Sequence, residues 1–155
     1  MNDQACVVFS VTSQKYCVEI EKVREIYGAK DSMYVPGSPD YIDGVVNIRG
    51  EIVCIVNLAK KLHLQAENTK KDAPLIIVEI NDITVGFLVD SVLGIIHVND
   101  NQYSVTPQIL VKKSPFIQGV VKTDNEMIML LDLENTLNDD ELEEVKNINE
   151  EHASK

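Results

Sequence analysis

Three cysteines, three histidines and 25 acidic residues are the groups in this 155-residue chain whose types could do chemistry. Cys6, Cys17 and Cys54 make an odd set with no Cys-x-x-Cys pair. His63, His97 and His152 stand at no metal-ligand spacing from a cysteine or from one another. No metal site and no cofactor are therefore expected. The seven glycines are scattered, mostly at turns, rather than gathered into a loop that wraps phosphate. A cysteine hydrolase built on Cys54 and a histidine would need an exposed thiol of lowered pKa. Cys54 instead sits in IVCIV, the setting of a small core or edge residue. The acids crowd together only in the C-terminal tail. No catalytic residue is assigned, and the chain does not read as an enzyme.

What remains is recognition chemistry. Arg24 and Arg49 are the only arginines in a chain that otherwise uses lysine. A guanidinium offers flat, multidentate hydrogen bonding at an interface. The same Arg49 would also blunt a strand end against edge pairing, and the residues alone leave both readings open. Arg49 lies in the stretch 38–62, SPDYIDGVVNIRGEIVCIVNLAKKL. Ser38, Pro39 and Asp40 predict a helix of about one turn, ended by Gly44. Residues 45–48 then predict a β-branched strand, Gly50 the positive φ of a tight hairpin, and residues 52–58 the returning strand. A short amphipathic turn follows over residues 58–62.

The unit recurs. Residues 117–137 align without a gap to 42–62, with Ile42, Gly44, Val45, Val46, Glu51, Leu58 and Leu62 meeting identical residues at Ile117, Gly119, Val120, Val121, Glu126, Leu133 and Leu137. Residues 6–27 likewise align to 75–96, so that Phe9 falls on Val78, Val18 on Phe87, Val23 on Val92 and Ile26 on Ile95. Alternation over residues 7–12 and 16–20 predicts a first hairpin turning at 13–15, and after a kink near Glu21 and Lys22 a short strand over 23–27. Each unit thus reads hairpin, kinked strand, loop, short helix, second hairpin, terminal turn, and the pair reads as two small β-barrels packed together. The units differ at the tip of the second hairpin, where Asn47, Ile48, Arg49 and Gly50 meet Lys122, Thr123, Asp124 and Asn125. They differ too where Arg24 and Glu25 meet Leu93 and Gly94, and in the loop at 98–113, which is longer in the second unit. Residues 64–73 form a polar connector. Asn138, with Glu141 in the capping-box position, predicts a last helix. Its thin apolar stripe of Leu142, Val145 and Ile148 predicts light docking on the body and fraying into an acidic tail.

Composition sets the surroundings. Hydrophobic residues make up 45% of the chain, aromatics only 5%, and tryptophan is absent, so the core is built from Val, Ile and Leu, which favour strands. A net charge of −11 argues against a nucleic-acid backbone as partner. Residues 139–155 carry seven of the acids against two lysines. No basic segment precedes an apolar run at the N-terminus, and no run of about eighteen apolar residues is present. With unpaired cysteines, a reduced, cytoplasmic protein without direct membrane insertion is expected.

The residues VREI at 23–26, P-x-Y-I-x-G-V-x-N-I-R-G-E-I from Pro39 to Ile52, and TVGFLVDSV at 84–92 resemble the CheW-like domain family of bacterial chemotaxis coupling proteins. The likeness covers almost the whole chain. The kinase CheA ends in a similar domain and CheV proteins begin with one, but this chain has no room for their other domains. The resemblance implies an all-β fold of two internally duplicated, five-stranded SH3-like β-barrels packed together, with short helical turns and a C-terminal helix. It implies one domain over 1–138, made of barrel repeats at about 5–63 and 74–137 with room for exchanged edge strands, then an acidic helix and tail over 139–155. It implies a non-enzymatic adaptor that joins the cytoplasmic tip of chemoreceptors to the regulatory domain of the histidine kinase CheA, recruited to membrane receptor arrays. The interface candidates carried over are Val23, Glu25, Gly44, Asn47, Arg49, Gly50 and Ile95. Family members commonly have proline where this chain has Cys54 and aspartate where it has Asn57. The alternative is a generic protein-interaction scaffold or small-barrel binding module outside chemotaxis.

Overall fold

Alternating and β-branched runs become strands, joined by turns at the expected places. The computed structural model describes residues 4–28, 32–64, 73–105 and 114–153. In the first unit β1 (Gln4–Val11) and β2 (Gln14–Glu19) form a hairpin. A 3-10 turn at Ile20–Lys22 makes the expected kink before β3 (Glu25–Gly28). A second hairpin of β4 (Ile42–Ile48) and β5 (Glu51–Asn57) leads into α1 (Leu58–Lys61). The second unit repeats this with β6 (Pro74–Ile80), β7 (Ile83–Leu88), β8 (Ser91–Val98), β9 (Tyr103–Val105), β10 (Ile117–Lys122) and β11 (Met127–Leu131). A 3-10 turn at Leu133–Thr136 and the helix α2 (Asp139–Ala153) close the chain. The expected connector and the far part of the long loop fall on 65–72 and 106–113, outside the described residues.

The strands form two sheets, ordered β8-β1-β2-β11-β10-β9 and β3-β6-β7-β5-β4. These divide the chain differently from the repeats. All strands of the five-stranded sheet lie within residues 25–88, whereas the six-stranded sheet joins residues 4–19 to residues 91–131. The first hairpin of each unit is thereby inserted beside the second hairpin of the other. The pairings made this way, β5 with β7 and β2 with β11, are both parallel. β8 and β9 are neighbours in sequence yet lie at opposite edges of their sheet, so that sheet curls on itself into a barrel. Residues after β3 do the same for the other sheet through a single bridge between Met33 and Val45. The longer loop of the second unit makes this crossing a strand of its own, which is why one sheet has six members.

Three layers of apolar side chains result. Val46, Ile48, Val53, Ile55, Leu75 and Ile77 fill the five-stranded barrel. Cys6, Val8, Cys17, Val121, Ile128 and Leu130 fill the other. Between them lies a larger junction that includes Val7, Phe9 and Val18 from one sheet and Cys54, Val56, Ile76 and Phe87 from the other. Strands buried on both faces read as unbroken apolar runs, and β5 shows why: Val53 and Ile55 face the barrel interior, Cys54 and Val56 the junction.

Two expectations need correction. Residues 38–41 form a turn, not a helix: Ser38 Oγ donates to the Val35 carbonyl at 2.7 Å, and the Ile42 N–H returns to the Pro39 carbonyl at 3.0 Å. Gly44 ends no helix but sits inside β4 at a break in register with β5, at φ +133°, with the Met33 carbonyl where a Cβ would go. The crossing segment needs that space, because Met33 and Val45 exchange backbone hydrogen bonds there at 2.8 and 2.9 Å. Nor is α2 lightly docked. Asn138 and Glu141 make the reciprocal cap at 2.8 and 3.0 Å, and Leu142, Val145 and Ile148 are buried within the junction. A stripe of three residues is thin for a helix on a surface but enough for one that plugs a seam.

Candidate functional site

The rewritten hairpin tip is a two-residue turn with both central residues at positive φ, Arg49 at +51° and Gly50 at +88°. Glycine was expected there; the arginine beside it was not. The Asn47 carboxamide oxygen locks the turn by accepting the Gly50 N–H at 2.8 Å. Asn47, Arg49 and Gly50 are all exposed. The Arg49 guanidinium reaches back to the Glu25 carboxylate on β3. Since β3 and β4 are opposite edges of the five-stranded sheet, this ion pair spans the opening of the barrel. Hydrogen bonding to Glu25, reinforced by its charge, holds Arg49 still more firmly protonated than an ordinary arginine.

A second network runs alongside. Arg24 donates from its backbone to the Ile77 carbonyl at 2.8 Å, extending the β3–β6 pairing, and its side chain meets Glu51 at 3.2 Å and Glu79 at 3.3 Å. The Thr84 hydroxyl donates to Glu51 at 2.8 Å and accepts from Arg24 at 3.3 Å. That hydroxyl, with Arg24 behind it, draws the Glu51 carboxyl below its usual range. The result is a strip of five charged side chains, Arg24, Glu25, Arg49, Glu51 and Glu79, in which both cations are paired. Paired in this way, the charged groups are held in fixed, directional positions.

The structure thus gathers Glu25, Asn47, Arg49 and Gly50 at one end of one barrel. Val23, half-buried, packs against the junction core beside them. Gly44 is buried and offers no side chain, so its geometric task is the close approach of Met33. Ile95 is elsewhere, on β8 at an edge of the six-stranded sheet, exposed with Leu93. Its repeat equivalent Ile26, on edge strand β3, is also exposed. Arg24, Glu51, Glu79 and Thr84 were missed as members of the strip. Arg24 was visible as the other arginine, but Thr84 comes from the far hairpin and nothing local points to it.

The cysteines make no contrary case. Cys54 is fully buried, and burial pushes its thiol up to about 12. Among the described residues no three His, Cys, Asp or Glu side chains are placed to hold a metal ion, and no helix is long and apolar enough to cross a membrane.

Residues 5–141 match the family described as the CheW-like domain. The probable chemotaxis protein CheW of Rhizobium etli is 33% identical over 142 residues, which is 91% of this chain and 92% of that one. The chemotaxis protein CheW of Thermotoga maritima is 33% identical over 126 residues, 81% and 82% of the two chains. Among solved structures, the scaffolding protein TtCheW from Thermoanaerobacter tengcongensis superposes with a TM-score of 0.81 at 30% identity, covering 90% of this chain and 97% of that one.

Proposed function

The chain belongs to the CheW-like domain family, and from that premise we propose that it is a chemotaxis coupling adaptor acting through two separate protein-binding surfaces. It works by holding partners together, without catalysis of its own. Similarity to chemotaxis proteins over most of both lengths favours this reading over a scaffold outside chemotaxis. The partners are the cytoplasmic tip of chemoreceptors and the regulatory domain of the histidine kinase CheA, and the chain reaches membrane arrays by binding them in the cytoplasm. One surface is the strip around Glu25, Asn47, Arg49 and Gly50, with Val23 beneath it and Gly44 shaping its strand; the other is the β8 edge at Ile95.

The observation that carries the reading is Arg49 itself. Positive φ is shared by other hairpin tips of this chain, at Thr12 and Ser13 and at Asn81 and Asp82, so the turn conformation does not single Arg49 out. Its side chain does: it is exposed, and one surface ion pair contributes little stability. An arginine kept there suits recognition better than stability.

Two purified variants test this by pull-down and titration with a CheA regulatory fragment and a receptor signalling fragment. Arg49→Ala should lose affinity for one partner by about tenfold or more, as a central arginine does at an interface, with its melting temperature almost unchanged. Ile95→Ser should weaken binding to the other. Wild-type affinity for both partners in a well-folded Arg49→Ala protein would defeat the assignment of the strip.

A further inference from the structure

The internal duplication supplies a comparison within one molecule. The parallel seams β5–β7 and β2–β11 are equivalent: the Cys54–Val85 pair of the first corresponds to the Met129–Tyr16 pair of the second. Glu51 and Glu126 are equivalent too, and each reaches across its seam to the matching position, Glu51 to Thr84 and Glu126 to Lys15 at 2.9 Å. Among the described residues, only the β5–β7 seam carries something more. Its ladder ends at Cys54 and Val85, and there a side chain of α2 enters. The Asn149 carboxamide accepts the Cys54 N–H at 2.8 Å and donates to the Thr84 carbonyl at 2.9 Å. A carboxamide carries a donor and an acceptor as a peptide unit does, so Asn149 continues the ladder by one rung through a third element.

We propose that Asn149 is the positioning residue of the recognition strip: carried by α2, it sets the spacing of the β5–β7 seam at which Thr84 and Arg24 both reach Glu51. The chain of contacts is continuous, from α2 through Asn149 to Thr84, then Glu51, then Arg24 and Glu79. Two of its features are needed together. Thr84 is held at its carbonyl by Asn149 and so presents its hydroxyl to Glu51 from a fixed backbone. Cys54, three residues beyond Glu51, is held by the same carboxamide, so the start of β5 cannot slide relative to β7. Leu142, Val145 and Ile148 anchor the helix in the junction core, so Asn149 is itself held from behind. The strip is therefore shaped by the C-terminal helix, whose charged side chains Glu143, Lys146 and Glu150 line the same cavity as Gly50, Glu51 and Thr84.

The test compares two tethers of the same helix. Asn149→Ala removes the seam clamp, while Lys61→Ala removes the ion pair between α1 and Glu141 near the other end of α2. The readouts are the Glu51 carboxyl titration by carbon NMR, the exchange rate of the Cys54 amide proton, and the melting temperature. Asn149→Ala should return the Glu51 titration toward the ordinary carboxylate range and speed Cys54 exchange by about tenfold or more, as local opening does. Lys61→Ala should lower the melting temperature and move neither. If Asn149→Ala folds poorly, Asn149→Ser removes the donor to Thr84 without adding a charge near Glu51, and should shift Glu51 the same way. An unchanged Glu51 titration in a folded Asn149 variant, or an equal shift in Lys61→Ala, overturns the proposal. The binding arm rests on the strip being partner-facing. If Glu51 moves while affinity for both partners stays at the wild-type value, the positioning role stands and the partner assignment falls.

Discussion

Individual residues divide into those the fold needs and those it merely carries, and the duplication separates them. Gly44 and Gly119 are identical because each lies under a crossing backbone, Met33 in one unit and Ser104 in the other, where no Cβ fits. Glu51 and Glu126 are identical because each spans a parallel seam. Arg49 has no such excuse; its counterpart is Asp124. This much was legible in the sequence as a list of identities and differences, but not as reasons, since the reasons are tertiary contacts. The Cys54 and Asn57 departures also acquire a basis. Cys54 supplies the N–H that a proline would lack, and Asn149 takes it. Asn57, buried, caps α1 by accepting the Lys60 N–H at 3.2 Å and donates to the Asp43 carboxylate at 3.0 Å; an aspartate there would face Asp43 with like charge. Gly44→Ala should destabilise the protein by about 1–3 kcal/mol from backbone strain alone, more once the Met33 clash is added. Gly50→Ala has positive φ without a clash and should cost less. Urea midpoints of the two variants measure the difference.

At the scale of elements, periodicity found the strands and the cap of α2 but misjudged what α2 is worth. A helix with three apolar positions looks peripheral until its neighbours are known, and here they are the junction core. Burying Leu142, Val145 and Ile148 contributes about 1.5–3 kcal/mol each, a sum comparable to the whole stability of an ordinary domain. A chain ending at Asn138 should therefore fail to give a cooperative unfolding transition, and Leu142→Ala alone should cost about 2–5 kcal/mol, read from denaturant midpoints. The helix also governs an alkaline transition. Tyr41 lies under the Lys61 ammonium, 4.7 Å from its ring centroid. Burial first, then Glu141 and Glu144 of α2, push its hydroxyl up to about 12. The group is held neutral in the folded state, so its contribution is complete below the unfolded value of about 10 and is lost as pH rises from there to about 12. The melting temperature should fall across that window, and less steeply in Tyr41→Phe.

The two sheets exchange hairpins between the halves of the chain, and the sequence could announce the duplication without revealing how its halves interlock. Local patterns specify hairpins; they do not say which hairpin a hairpin lies beside. The six-stranded sheet has β1 and β2 from one end of the chain inside strands from the other, so residues 73–138 by themselves lack two strands from the middle of their sheet. Residues 23–89 are the fairer test, because they contain every strand of the five-stranded barrel. That fragment would still expose Cys54, Val56, Ile76, Val78, Val85 and Phe87, which in the intact chain face the junction. The junction is also where the units complement one another: Phe9 in one hairpin aligns with Val78, and Val18 with Phe87, so a large and a small residue exchange places between the two copies. A domain of this size buries only about 60% of its unfolded surface, leaving little margin for an exposed apolar face. The fragment 23–89 should therefore populate no stable fold, and the intact chain should unfold in one transition by circular dichroism and by intrinsic tyrosine fluorescence alike. A partner that docks against one barrel then acts on a body whose other barrel cannot move independently, and an adaptor of this kind transmits placement rather than flexibility. A 23–89 fragment that melts cooperatively, together with two separated transitions in the full chain, would reverse that conclusion and make the barrels independent carriers.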